Sequence, residues 1–454
     1  MRRWRVFVSM LFVLLIFVGF CFYYLKTFVV TKPHGVIVFI VPGLDPELLT
    51  LARMRSTETR FHWFGRKNNI RLSLVDAQSD CTQFADLPAI LTTLASGERG
   101  PNQQIGMTAR GQRLDNLLYS AQRNSRTVGL VTTGRLTSPG VAAFYAHVTD
   151  ANDEASIARF LLDSSQINIL LGGGSPHLIP APGTEGRDLT KELVEKGYTL
   201  VTNSAEFRSV PTWITRRLVG VVGNDHMPTQ QQRRLNPALA DTPSLTDMVI
   251  VAIECLQLNL GGYLLVVEDP LLGMAATKNQ AINAADQLNY LDWTIANARA
   301  YAGDKAMIFV YSPYSVGGLQ INGPVPADLS TVEPAPYIPE LPAPNKASSN
   351  KKNLAPVVPP ALPILSWHNG PGGKPPRPLP PSPKNRSRKS QTPQPAAPAP
   401  DPTDLPQEPA AYDMSAGAQP SAGSGFLFYQ GPGLEKVPSL ITTEQLHQLI
   451  NEQL

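Results

Sequence analysis

Apolar residues in this chain fall into one long run near the start and a series of short runs separated by stretches with a helical step. The long run, Val6 to Leu25, contains no charged residue and is closed by Lys26. About twenty such residues are enough to cross a bilayer as a helix. Arg2, Arg3 and Arg5 precede the run, which places that flank in the cytoplasm, and Phe22, Tyr23 and Tyr24 stand where the far interface would be. The competing reading is a cleaved signal peptide, but cleavage needs small residues, and Phe20-Cys21-Phe22-Tyr23-Tyr24 is bulky. An uncleaved single-pass anchor is expected, with residues 1–5 cytoplasmic, 6–25 in the membrane, 26–34 a spacer and the body periplasmic or otherwise extracytoplasmic.

The short runs are Gly35 to Val41, Thr127 to Thr132, Ile167 to Leu171, Gly262 to Val267 and Ala306 to Val310. Each is apolar throughout and bounded by turn residues, as in strands buried on both faces. Between them, Thr242-Pro-Ser-Leu-Thr-Asp247 opens a helix that runs to about Leu258. Asn279 to Tyr301 carries apolar residues at three- and four-residue steps. This alternation predicts an α/β fold, a mostly parallel central sheet with helices on both faces, with ligands gathered at the carboxyl ends of the strands.

Composition changes the picture at residue 323. From there to 418 proline dominates, apolar residues are few, and the segment is expected to be a disordered or polyproline-like loop. The core is therefore expected at 35–322. It is completed by 419–454, where Gly425 to Tyr429 reads as a strand and Thr442 to Leu454 as a short helix. The formal net charge of +3 is outweighed by Arg2, Arg3, Arg5 and Lys26 alone, so bulk charge gives no ground for nucleic-acid binding. Of the three cysteines, Cys21 lies in the apolar run. Cys81 and Cys255 have no metal-binding spacing; they are either a disulfide pair or plain buried thiols.

Several segments resemble the alkaline phosphatase family. They are Val128-Gly-Leu-Val-Thr-Thr-Gly-Arg135 followed by Ala142-Ala-Phe-Tyr-Ala-His-Val148, then Leu170 to Gly174, and His226-Met-Pro228 leading to Pro243 to Met248. Leu265-Val-Val-Glu268, Gly317-Gly-Leu319 and Gly431-Pro-Gly433 complete the set. They occur in the family's order from about residue 35 to 434, outside the proline-rich segment. The resemblance implies an alkaline-phosphatase-like fold. It also implies a mechanism built on two zinc ions, a magnesium, a serine nucleophile and a phosphate-holding arginine.

Laid onto this chain, that mechanism lacks nearly every part. Pro42 stands where the family has a metal-binding aspartate, and in Asp86-Leu87-Pro88 leucine stands for the nucleophile. Ser138 and Gly140 fall at magnesium positions and Ala151 at the arginine. Gly273 and Thr277 replace zinc ligands, Pro313-Tyr314 replaces an Asp-His pair, and the last zinc histidine falls at or near Pro420. Glu268 alone matches a metal ligand, and is expected to pair with a base or face water. Proline, glycine and leucine have no donor for a metal. The seven histidines (His34, His62, His147, His177, His226, His368 and His447) show no metal-binding spacing. Asp45 lies near the site but cannot build a two-metal centre with Ser138, and Cys81-Thr-Gln-Phe lacks a sulfatase pattern.

No catalytic, cofactor-binding or metal-binding residue is therefore assigned. The expected function is a membrane-anchored, non-catalytic pseudo-phosphatase serving as a binding or scaffold module. The alternative is a metal-dependent phosphomonoester hydrolase with a rebuilt site. The expected partners are the membrane, through the N-terminal helix, and a protein or anionic surface, through the proline-rich loop with Lys374, Arg377, Lys384, Arg386, Arg388 and Lys389. That loop reads equally well as a solvated spacer.

Overall fold

The structure is a computed structural model that describes residues 2–24, 33–55, 61–65, 68–80, 84–163, 167–179, 187–321, 365–370, 410–413, 420 and 425–454. The strands are β1 (Gly35–Ile40), β2 (Arg71–Asp76), β3 (Thr127–Arg135), β4 (Ile169–Gly173), β5 (Thr199–Val201), β6 (Leu218–Val221), β7 (Tyr263–Glu268), β8 (Met307–Ser312), β9 (Leu319–Ile321), β10 (Leu365–Gly370), β11 (Ala410–Asp413), β12 (Gly425–Gln430) and β13 (Leu440–Thr442). Ten of them form one sheet in the order β13-β2-β12-β8-β1-β7-β3-β4-β6-β5. Only β12 runs against its neighbours, β2 and β8.

β1, β7 and β8 are buried at every position, which is why their sequences are continuous apolar runs rather than alternating ones. Helices Pro46–Arg55, Leu245–Leu256 and Ala281–Ala302 cover one face. Helices Leu87–Ser96, Glu154–Asp163 and Thr443–Asn451 cover the other. Their starts are chemically marked. Ser244 and Asp247 form a capping box, as do Thr442 and Gln445, each satisfying two orphan backbone donors.

The register levels the strand ends. Ile40 and Thr132 both lie opposite Glu268, so β1 and β7 finish level with Thr132, three residues before the end of β3. β8 ends next to them at Ser312.

Two expectations need correction. The segment 323–418 is not one uninterrupted loop, because β10 and β11 stand inside it, and β10 pairs with β9 on one side and β11 on the other in a second, three-stranded sheet. Leu365 and Trp367, nearly fully buried, supply the apolar side chains that this small sheet needs; the composition of the surrounding prolines hid them. The six basic residues of the segment and Cys81 lie outside the described residues. Glu268 is also neither exposed nor paired with a base, as shown below.

Residues Arg2–Tyr24 form one helix, α1. Its side chains are described at Trp4 and from Val8 to Cys21, and nearly all of these stand free of the body. Among the described residues no helix is long and apolar enough to cross a membrane.

Candidate functional site at the carboxyl ends of the strands

Glu268 closes β7, fully buried, and accepts a hydrogen bond from the Thr132 hydroxyl at 2.7 Å. Thr132 Oγ1 in turn accepts from the Gly134 N–H at 2.8 Å. The Ser138 hydroxyl beside Glu268 donates to the Arg135 carbonyl at 2.7 Å. Burial pushes the Glu268 carboxyl up to about 7, and the neighbouring Asp269 charge pushes the same way. The Thr132 and Ser138 hydroxyls favour the ionised form of Glu268 and lower its carboxyl. Asp269, also buried, accepts from the Thr133 hydroxyl at 2.6 Å and is raised by burial to about 6.

The positions around this pair are filled by protein. A β-carbon on Gly140 would stand 1.6 Å from Glu268 Oε1, so the carboxyl group occupies the volume a side chain at 140 would need. A β-carbon on Gly273 would stand 2.7 Å from the Pro42 carbonyl oxygen. Helix Leu271–Thr277 is thus seated directly on the Pro42-Gly43 turn. Gly43 has φ +88, the left-handed region in which glycine is unstrained, and its N–H donates to the Tyr314 carbonyl at 2.9 Å. The Thr277 hydroxyl donates back to the Gly273 carbonyl at 2.9 Å, within its own helix.

Leu87 opens its helix as the first residue after the cap. Asp86, the residue before it, accepts from the N–H groups of Ala89 at 2.9 Å and Gln103 at 2.7 Å. Leu87 and Tyr314 both pack against the same apolar cluster. Burial raises the Tyr314 phenol well above its usual range, with the Glu268 and Asp86 charges adding to it, so all three side chains share one neighbourhood. Ala151 is buried and donates its N–H to the Gln103 carbonyl at 2.8 Å. Pro420 bridges Val316. Asp45 accepts from the Leu48 N–H at 2.7 Å and is raised by burial to about 7.

The nearby cation Arg135 is committed. Arg135 binds Glu154 and Asp225, each at 2.7 Å, and contacts His226 Nε2 at 3.1 Å. His226 is held below the usual histidine range by burial. His147 is also held below that range; its Nδ1 lies 2.8 Å from the Gly106 carbonyl and its ring meets Phe160 edge-on. Among the described residues no three His, Cys, Asp or Glu side chains gather as a metal site. Beside the helix Leu271–Thr277 a pocket of about 490 Å³ opens, lined among others by His226, Met274, Lys278 and Asn283.

These residues follow a known pattern of strands and motifs, and a profile of the alkaline phosphatase family matches residues 34–341. The chain belongs to the alkaline phosphatase family. Alkaline phosphatase 4 of Bacillus subtilis is 27% identical over 246 residues, 53% of this chain and 51% of that protein. This chain spans about half the length of the Bacillus relatives it matches. The alkaline phosphatase of Gadus morhua is 24% identical over 376 residues, 69% of this chain and 77% of its own. Among solved structures, the Thermus thermophilus enzyme superposes with a TM-score of 0.66 at 20% identity, covering 93% of this chain and 91% of that one. The enzyme of the Antarctic bacterium TAB5 gives 0.63 at 16% identity, over 93% and 98%. The family membership and the α/β fold read from the motifs are thereby established.

The sequence reading singled out Glu268 but passed over Asp269, Thr132 and Thr133. The signal was present as an acidic pair ending one apolar run and a threonine pair ending another. Only the pairing of β3 with β7 puts them in contact.

Proposed function

We propose that this member of the family is a membrane-anchored, non-catalytic pseudo-phosphatase that serves as a binding or scaffold module. The observation that carries the reading is the contact between Gly273 and Pro42, two positions where the family places metal ligands. A β-carbon at 273 would already lie 2.7 Å from the Pro42 carbonyl oxygen, so neither a carboxylate nor an ion fits between the two. The magnesium position at Gly140 is closed in the same way by Glu268 itself. The residues do not fit the family's metal set. Leu87 offers no nucleophile, and the Arg135 guanidinium is neutralised by two carboxylates rather than turned toward an anion.

The anchor is supported by α1. From Val8 to Phe20 its large apolar side chains are about half to two-thirds exposed, and leaving such a row in water forfeits roughly 1.5–3 kcal/mol per side chain. A bilayer removes that cost. The proline-rich segment remains the proposed contact for a protein or anionic surface.

The test is to purify the full chain in detergent micelles, supply zinc and magnesium, and measure bound metal by mass spectrometry alongside hydrolysis of an aryl phosphate. Neither stoichiometric metal nor turnover above the buffer blank is expected. Bound metal with turnover abolished by Glu268→Gln would instead establish the rebuilt hydrolase.

A further inference from the structure

At the end of the sheet opposite the family site, the loops leading into the parallel strands carry exposed apolar side chains. The loop before β6 exposes Trp213 at 72% and Ile214 at 52%, and the loop before β7 exposes Leu260 at 99%. These are not fraying tips. The Ile214 and Thr215 N–H groups both donate to the Pro211 carbonyl at 3.1 Å, and Thr215 is buried. Asn259 Nδ2 donates to the Ser125 carbonyl at 2.7 Å and to Gly262 at 2.9 Å, fixing the second loop against the start of β3. Both turns therefore hold their apolar residues outward in a set geometry.

Cations accompany them. Arg216 and Arg217 follow the first turn, both exposed, and neither has a carboxylate partner among the described residues. Arg217 lies over the Tyr198 ring at 5.7 Å and donates to the Lys196 carbonyl at 3.0 Å. Arg216 acts on the Cys255 thiol through its charge, as does Glu254 in the opposite sense, which places the first loop beside the helix end that leads to Leu260. In the sheet, β7 and β6 are three spacings apart, so the two loops stand about 14 Å apart along one edge.

The same edge is where the chain arrives from α1. The Tyr263 N–H donates to the His34 carbonyl at 2.9 Å, and residues 25–34 reach at most about 35 Å from the end of the helix. Indole and guanidinium groups around apolar side chains are the composition of a membrane–water boundary. Arginines without acidic partners complement anionic headgroups.

We propose that this edge, with Trp213, Ile214, Arg216, Arg217 and Leu260 at its centre, is a second membrane contact that lays the body against a bilayer bearing anionic lipid. The proposal rests on the anchor reading above, and the experiment separates the two. The full chain is placed in nanodiscs of phosphatidylcholine alone and in nanodiscs containing one part in three of phosphatidylglycerol. Co-elution with the discs reads the anchor, and amide hydrogen exchange reads the edge. The expected result is exchange slowed about fivefold in residues 211–217 and 256–262 in the anionic discs, with residues 223–229 at the opposite end unchanged. Trp213→Gln with Leu260→Gln, both on exposed side chains, is expected to remove the slowing without releasing the chain from the discs. A chain that co-elutes with no slowing in these loops keeps its anchor and overturns the membrane edge. Slowing on phosphatidylglycerol without stable co-elution would keep the edge and overturn the anchor, and absence of both overturns both.

Discussion

Replacing Glu268 by glutamine tests the centre of the site without changing its shape. The wild-type carboxyl is fully buried, accepts from Thr132 at 2.7 Å and is raised from 4.5 to about 7. A raised carboxyl is one whose proton the folded state holds more tightly than the unfolded chain does. Its contribution is complete below about pH 4.5, declines as pH rises, and is lost once pH passes about 7. That interval of about 2.5 in pH, at about 1.36 kcal/mol each, amounts to at most about 3 kcal/mol. The histidines His147, His226 and His447 are lowered by burial and act in the opposite direction, their contribution growing as pH rises toward 6.5. They are present in both chains and cancel in the difference. Urea unfolding of wild type and Glu268→Gln at pH 5, 6, 7 and 8 is the assay. The variant is expected to gain on wild type by about 2–3 kcal/mol between pH 5 and pH 8, most of it below pH 7. Parallel stability curves for the two chains would refute a buried Glu268 carboxyl raised to about 7.

The closed geometry makes further expectations. Gly140→Ala puts a methyl group 1.6 Å from Glu268 Oε1; it must evict the buried carboxyl, at a cost of about 3 kcal/mol in urea unfolding, and near-neutrality would show that the pocket is open. Gly273→Asp, which supplies a carboxylate there, is expected to destabilise by a similar amount and to bind no zinc by calorimetry, because Pro42 blocks it. A strong chelator should leave the melting temperature of the wild-type chain unchanged. A resident metal held at 100-fold saturation would contribute about 2.7 kcal/mol, and its loss would be plain in the same scan. Asp86→Ala removes the acceptor of the Ala89 and Gln103 N–H groups and should cost about 1 kcal/mol, a cap's worth, with no effect on any activity measured.

What the sequence determined by itself is the scaffold. Runs such as Gly35–Ile40 and Tyr263–Glu268 are apolar without alternation because both faces of their strands are covered, and that pattern survives in one dimension. The ordered motifs likewise carried the resemblance to the family, and Pro42, Leu87 and Gly273 offer no side-chain donor in any fold. Short strands with mixed faces were not legible. β2 alternates exposed Leu72 and Leu74 with buried Ser73 and Val75, and its pairing with β12 brings together segments some 350 residues apart. β10 was hidden inside a proline-rich composition, and its pairing with β9 and β11 makes it a strand. The state of Glu268 belonged wholly to tertiary structure. A glutamate after an apolar run is read as solvated or paired, because a charge is costly to bury. Here β3 brings a threonine hydroxyl to it, Gly140 leaves it room, and burial favours its neutral form, so the protein closes around the Glu268 carboxyl.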